Sequence, residues 1–338
     1  MNKLYCGMDL HSRNTYIGIM NQKFERVFKK RVVNDSNVLL NTLLPYQEFL
    51  QGIVVESTYN SYWLVDLLME AGYRVHLANP AGFKPYSGLK YADDRHSAFF
   101  LAKLLALGIL PEGYIYPKHE RPVRDLLRHR LFLVRHRTSH QLSFQSMIER
   151  NTNERIRTRD LHKLSMKDIK RLLHDDYLVT AALSYKALID HFTQQIHDIQ
   201  DQVKDVVQLR RPFVELKTIP GVGDILAMTM MLEVGDINRF QNVRNFSSYA
   251  RCVPSMRISN EKSVGKGNKR NGNRYLSWAF SEAAMLAVIH NERIRKFYQK
   301  KSSKTNWIIA MRALSNKMAR AAYYIMRDKI PFQEDRLL

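Results

Sequence analysis

The stretch from residue 3 to residue 20, KLYCGMDLHSRNTYIGIM, constrains the fold more than any other part of the chain. It is an apolar strand that reaches Asp9, a short polar turn and a second apolar strand. A carboxylate at the end of a buried strand is costly to ionise alone, so Asp9 needs a salt bridge or a bound cation. The arrangement recurs in GIVVES, a short buried strand that ends on Glu56, and a helix-like run downstream carries Asp93 and Asp94. Scattered acids that a sheet can gather suit Mg2+, which takes oxygen ligands in near-octahedral geometry together with substrate phosphate oxygens. Asp9, Glu56 and Asp94 are the candidate metal ligands, with Mn2+ as the alternative ion. The competing reading is that they are surface or paired acids.

Charge narrows the partner. The 338 residues carry a formal net charge of +21, more than solubility requires, and self-repulsion on that scale points to a polyanion. Lys and Arg are spread along the chain rather than set on one amphipathic anchor, which favours nucleic acid over a membrane surface. No apolar run approaches the roughly 20 residues of a membrane span, and no secretory h-region opens the chain, so a cytoplasmic protein is expected. Cys6 and Cys252 form no CxxC pattern and read as two reduced, buried thiols.

The order of patterns predicts an α/β fold. LYCGMDL, NTYIGIM and FERVFKKRVV read as a three-strand meander, followed by a helix from Ser36, an N-cap candidate, to Phe49. Then come the strand IVVE, a helix over 62–71 closed by Gly72, the strand YRVHLAN, a loop over 80–91 and a helix over 93–107. This is the order of an RNase H-like architecture over residues 1–117. Residues 118–212 read as basic helices, with Ile189, Phe192, Ile196, Ile199, Val203 and Val206 at heptad-like steps that suit an intramolecular helical hairpin or a dimer. From Phe213 a mostly helical domain, 213–338, begins. LKTIPGVGDILAMTMMLEVGDINRF has the pattern of a helix-hairpin-helix around a Gly-x-Gly turn, with its methionines in the core. Two apolar helices follow a basic tract, over 277–290 and 306–326.

That tract carries the second site. Between Arg251 and Arg274 there are seven Lys or Arg against one acid, Glu261, which a phosphate-binding loop explains better than a solvated surface. Ser255, Ser259 and Ser263 lie in it, and composition does not choose among them as a nucleophile. A serine hydroxyl needs a base, a metal or strong phosphate polarisation to react, and the loop supplies the last. His11, His76 and His96 are the histidines nearest the acids; His76 reads as a satisfied partner, and His96 lies three residues after Asp93.

GMDLHSR, VVESTYNSYWL, YRVHLANP and YADDRHSAFFLAKLLALGILPEGYIYP, followed by LKTIPGVGDILAMTMMLEVGDINRF, FSSYARCVP and RISNEKSVGKGNKRNGNRYLSWAF, resemble the IS110 family of insertion-sequence transposases. The likeness is closest to its IS1111-like branch and extends to the related site-specific DNA invertases, over nearly the whole chain. It implies a RuvC-like domain with a DEDD set of acids on Mg2+, a coiled-coil insertion, and a C-terminal domain that donates a catalytic serine. Carried over by motif, the acids are Asp9, Glu56 and Asp94, and the serine is Ser259. The fourth acid is replaced by Ser97, a loss that weakens the metal site unless Ser97 itself, Asp93 or His96 compensates.

The resemblance further implies donor and target DNA, a structured noncoding bridge RNA that guides the protein, and a homo-oligomer, dimer or tetramer, in the bacterial nucleoid. Arg257, Lys262, Lys266, Lys269, Arg270 and Arg274 would hold the nucleic-acid backbone. Two alternatives stand beside this reading. One is a RuvC-like hydrolytic junction endonuclease that uses water; the other is a catalytically impaired nucleic-acid-binding homologue, because of Ser97.

Overall fold

In the computed structural model, residues 3–82, 94–254, 257–259, 262–265 and 271–337 are described, and of 81, 94, 95, 257–259, 263 and 264 only the backbone is described. The chain forms two compact units, residues 1–118 and 119–338.

The first unit is a six-stranded mixed sheet with helices on both faces. Strands β1 (Leu4–Leu10), β2 (Asn14–Asn21) and β3 (Arg26–Val33) form the expected antiparallel meander. Helix α1 (Ser36–Leu43) is shorter than its pattern suggests, because Pro45 tightens the chain into a 3-10 turn over 44–46. Its N-cap is Asp35, whose carboxylate accepts from the Val38 N–H at 2.9 Å, so Ser36 is the first helical residue rather than the cap. Strand β4 (Leu50–Glu56), helix α2 (Tyr62–Glu70), strand β5 (Val75–Ala78), helix α3 (Asp94–Ala106) and the short β6 (Glu112–Gly113) complete the unit. The strand order is β3-β2-β1-β4-β5-β6, with β1, β4 and β5 mutually parallel. Most of the loop expected over 80–91, and Asp93, lie outside the described residues.

The two faces of β1 have different jobs, set by the two-residue period of a strand. Cys6 and Met8 point into a core with Leu39 and Leu43 of α1 and Leu64 and Leu68 of α2. Tyr5 faces the other way, where it packs with Phe99 and Ala102 of α3. Gly7 shares that second face, and α3 lies directly on it: a Cβ at Gly7 would fall 1.9 Å from the Ala98 carbonyl oxygen and 2.9 Å from the Ala102 nitrogen. Both are backbone atoms, so neither can swing aside. Cys6 is fully buried, which pushes its thiol well above the ordinary value, and Cys252 is half-buried and pushed up to about 12 by burial.

Among its described residues the second unit is helical apart from one hairpin. Helix α4 (Arg121–Thr152) and helix α7 (Asp176–Val207) run antiparallel, joined through α5 (Thr158–Leu161) and α6 (Met166–Leu172). The cross-helix contacts Phe144–Tyr185, His140–Phe192, Arg137–Thr193 and Arg130–Gln200 descend one helix as they climb the other. Ile189, Ile196, Ile199 and Val203 are buried as their spacing predicts, but the seam closes on Val207, and Val206 is 49% exposed. Helices α8 (Arg211–Leu216) and α9 (Asp224–Val234) flank the Gly221 turn, and α10 (Val243–Tyr249) follows. Gly221 has φ +82°, and its Cβ would lie 2.6 Å from backbone atoms of Ala283 and Ala287. The methionines of α9 are buried, as expected.

The basic tract holds β7 (Arg257–Ser259) and β8 (Lys262–Gly265), an antiparallel pair where the sequence suggested a loop. Helix α11 (Arg274–His290) begins three residues earlier than its apolar pattern, and α13 (Trp307–Asp328) is close to expectation. Between them α12 (Glu292–Lys304) has no counterpart in the sequence reading, because Ile294 is its one fully buried residue and the rest is polar. Among the described residues no helix is long and apolar enough to cross a membrane.

The Gly7 contact gives a direct test. Gly7→Ala should destabilise the protein by about 1–3 kcal/mol, because a methyl group is forced against fixed backbone. Urea unfolding checks it, with Gly72→Ala, where nothing lies within 4 Å but φ is +83°, as the comparison for backbone strain alone.

Candidate functional site

Register and parity bring the candidate acids together. Met8 of β1 pairs with Val55 of β4, so the next residues, Asp9 and Glu56, stand side by side at the C-terminal ends of parallel neighbours. Asp9 shares a face with Gly7. Glu56 shares one with Val54, which packs on Leu101 of α3. Both acids therefore lie on the face covered by α3.

The helix runs against these strands. Its C-terminal Leu105 meets Gly52 near the start of β4, while Ala98 meets Gly7 two residues before Asp9. From that crossing, two strand residues advance roughly 6.6 Å and four helical residues back to Asp94 cover roughly 6 Å. The N-terminus of α3 thus ends at the same sheet edge as the strand acids. Asp94 is its first residue and Ser97 follows one turn later, at the spacing that shares a helix face. The side chain of Asp94 lies outside the described residues; Ser97 is half-buried.

Asp9 is 8% exposed, and the His11 ring stands 3.7 Å from its carboxylate. The turn that carries His11 is pinned: Asn34 and Asn60 donate to the His11 carbonyl at 2.8 and 3.4 Å. Burial pushes the Glu56 carboxyl above its ordinary value, the Asp9 charge pushes it further, and His11 opposes both. Two neighbouring carboxylates that resist joint ionisation form an oxygen donor pair that suits a hard divalent cation. Among the described residues no group of three or more His, Cys, Asp or Glu is placed to hold a metal, and the Asp94 carboxylate is not among them. His76 is a satisfied partner, with Nδ1 2.9 Å from Glu112. His96 is half-buried at the first turn of α3.

The second element is the hairpin. Ser259 ends β7 and pairs with Lys262, the first residue of β8. Lys262 is exposed. The side chains of Arg257, Ser259 and Ser263 lie outside the described residues, as do Ser255, Lys266, Lys269 and Arg270 entirely. Arg274 is exposed, donates to the Tyr275 hydroxyl at 3.0 Å and lies over that ring.

A network not foreseen from sequence anchors the chain where it leaves this segment. Asn273 caps α11, with its Oδ1 accepting from the N–H groups of Tyr275 and Leu276 at 2.8 and 3.1 Å. Its Nδ2 donates to Glu233 at 2.6 Å, and Glu233 accepts two bonds from Arg128 of α4, at 2.6 and 2.7 Å. The available signals were an Asn just before an apolar helix and an acid inside the apolar run of α9.

An α/β sheet with acids gathered where strand ends meet a helix N-terminus is consistent with a DEDD nuclease-like fold. A family model described as "Transposase IS116/IS110/IS902 family" matches residues 214–299, and the DEDD transposase model of the IS110 type matches residues 6–151. The two together cover more than half of the chain. The chain is 28% identical to the transposase for insertion sequence element IS1111A of Coxiella burnetii, over 35% of this chain and 31% of that protein. It is 22% identical to the pilin gene-inverting protein of Moraxella bovis, over 83% of this chain and 82% of that protein, and 24% identical to the IS1328 transposase of Yersinia enterocolitica, over 47% and 48%. The match thus spans about a third of the IS1111A protein and about half of the IS1328 protein. The chain belongs to the IS110 family of insertion-sequence transposases.

Two measurements test this geometry. Because the folded-state value of Glu56 is raised, its contribution to stability is complete below the ordinary 4.5 and is lost as pH rises through the folded value. Glu56→Gln should therefore raise the melting temperature at pH 7 without metal and flatten its decline from acid to neutral pH, while reducing the further rise that millimolar Mg2+ gives the unaltered protein. Asn273→Ala should cost about 2 kcal/mol in urea unfolding, since it removes a helix cap and a bond to a buried carboxylate.

Proposed function

We propose that the protein is the DNA recombinase of an insertion sequence, cutting and rejoining strands through attack by Ser259 on a phosphodiester. The observation that carries the reading is the gathering of Asp9, Glu56 and the α3 N-terminus at one sheet edge, in a chain that separately presents Ser259 on a basic hairpin. Asp9, Glu56 and Asp94 would hold Mg2+, or Mn2+, which when bound supplies Lewis-acid polarisation of the phosphate. In the chemical step Ser259 Oγ forms a bond to phosphorus as the bridging P–O bond to the departing sugar breaks. The proton lost by the serine ends on that sugar oxygen. The phosphoserine link conserves the diester's energy, so a sugar hydroxyl can reverse the step and reseal DNA without ATP. Arg257, Lys262, Lys266, Lys269, Arg270 and Arg274 grip the backbone without reading sequence.

The finer assignments follow the same reading. Residues 1–117 form an RNase H-like, RuvC-type domain, the α4–α7 pair is its coiled-coil insertion, and the α8–α9 turn is a helix-hairpin-helix-like phosphate contact. Donor and target DNA are selected by pairing with a noncoding bridge RNA, so that the protein needs shape and backbone contacts alone. The working form is a homo-oligomer, dimer or tetramer, associated with the bacterial nucleoid.

Ser97 favours a second reading, impaired catalysis. A hydroxyl replaces a charged ligand at the sheet edge, which lowers the negative charge available to a cation.

Incubation of the full chain with labelled DNA, Mg2+ and its guide RNA tests both. The expected result is an SDS-resistant protein–DNA adduct, lost in Ser259→Ala with cleavage down by a factor on the order of 10⁴ or more. Ser97→Asp should raise cleavage about tenfold or more. Cleavage that survives Ser259→Ala without an adduct would replace the serine mechanism by hydrolysis. Tight binding with no cleavage by either the protein or Ser97→Asp would leave a binding function.

A further inference from the structure

We propose that the cavity between α13 and the chain that follows it binds one nucleotide unit, its phosphate on Arg320 and Arg336 and its base against Tyr324. The cavity has a volume of about 430 Å³, within the range of small-ligand sites. Its lining includes four cationic side chains, Lys317, Arg320, Arg327 and Arg336, against one acid, Asp328.

Two of the four cations are already engaged. Arg327 forms a paired contact with Asp328 at 2.6 and 3.0 Å, and the Lys317 ammonium donates to the Leu337 carbonyl at 2.6 Å. The bond from Arg327 is what chiefly holds the Asp328 carboxyl below its ordinary value, with the Arg327 and Arg336 charges adding to it, and Arg336 makes no salt bridge with Asp328 among the described residues. Arg320 makes no side-chain hydrogen bond or ion pair among the described residues. Both guanidinium groups are exposed at the cavity. Two unneutralised guanidinium groups match a phosphate, which accepts their planar forks in parallel bonds.

The rest of the cavity suits a base. Tyr324 is half-buried, with the Arg327 guanidinium 4.8 Å from its ring centre, and Phe332 and Pro331 supply apolar surface. The far wall is fixed in advance. Lys329 turns the chain at φ +55°, Phe332 donates its N–H to Thr218 at 2.7 Å, and Asn291 and Arg293 hold Glu334 and Asp335 at 2.9 and 2.6 Å. Little ordering is left for the ligand to drive. An acidic peptide would meet the charge but has no use for an aromatic wall. The inference relies on the nucleic-acid reading only for the ligand's source, because none of these residues takes part in the metal or serine chemistry.

Fluorescence anisotropy of the full chain with a labelled oligothymidylate tests it, with AMP and a poly-glutamate peptide as competitors. The double variant R320A/R336A should weaken oligonucleotide binding about tenfold or more and lower the salt slope by about 0.7, the amount for the one phosphate that the two arginines share. Tyr324→Leu should weaken it about fivefold or more with the slope unchanged. The control K300A/K301A removes the same charge from the exposed face of α12 and should change affinity less than about threefold, as generic charge does. Melting temperatures should match the unaltered protein for both the arginine and the lysine double variants. Displacement by AMP that depends on Arg320 and Arg336 would place a free nucleotide in the site; loss of oligonucleotide binding without AMP competition would assign it to nucleic acid. Equal losses in the pocket and control variants, no loss in either, or displacement by poly-glutamate as good as by AMP would overturn the inference. The readout is binding, so its failure is distinct from failure of the serine chemistry.

Discussion

Gly7 carries no side chain, and α3 occupies the space that one would fill. The Ala98 carbonyl and the Ala102 nitrogen sit where only hydrogen is tolerated, so strand and helix are locked at a single crossing. Every feature of the candidate site is measured from it. Two residues along β1 lies Asp9, on the same face; one strand over lies Glu56, in register; and one helical turn back lies the N-terminal end of α3. A slip of one residue in β1 would turn Asp9 into the α1–α2 core. The contact therefore holds the acids at one place without the help of a ligand.

Two glutamates, Glu233 and Glu56, show which acids are structural. Glu233 is nearly fully buried, yet Arg128 and Asn273 satisfy it from two elements, so its charge serves the packing of α4, α9 and α11. Glu56 is less buried but has its carboxyl pushed up by its surroundings and by Asp9, with His11 as the opposing charge. A carboxylate left in that condition costs stability in the free protein. Such a cost is what a cation-binding site carries until it is filled. The same contrast applies to the arginines of α13, where Arg327 has its carboxylate and Arg320 faces the cavity without one.

Much of the N-terminal unit was legible because its signals are local. An apolar run that ends on an acid, repeated in two strands, is readable without tertiary structure, and Gly72 and Pro80 mark their boundaries plainly. What the sequence hid was set by packing between distant segments. Val206 and Val207 are equally apolar, and the approach of α4 decides which is buried. Helix α12 shows one buried residue and therefore no apolar stripe. The β7–β8 hairpin is written in Gly, Lys and Asn, which say "loop" to any pattern rule. Asn273 looks like an ordinary cap until Glu233, forty positions earlier, is found against it. The strand acids were visible one by one; that α3 runs antiparallel to their strands was not.

The central claim is that a sheet edge built around the Gly7 crossing holds a divalent cation between Asp9 and Glu56. Diffraction from crystals grown with millimolar Mn2+, read at the manganese absorption edge, tests it most directly. The expected result is an anomalous peak about 2.1 Å from carboxylate oxygens of both Asp9 and Glu56, with Asp94 closing on it from α3. A map with no peak at that edge, or with the ion held elsewhere and Glu56 paired to a cationic side chain, would contradict the account.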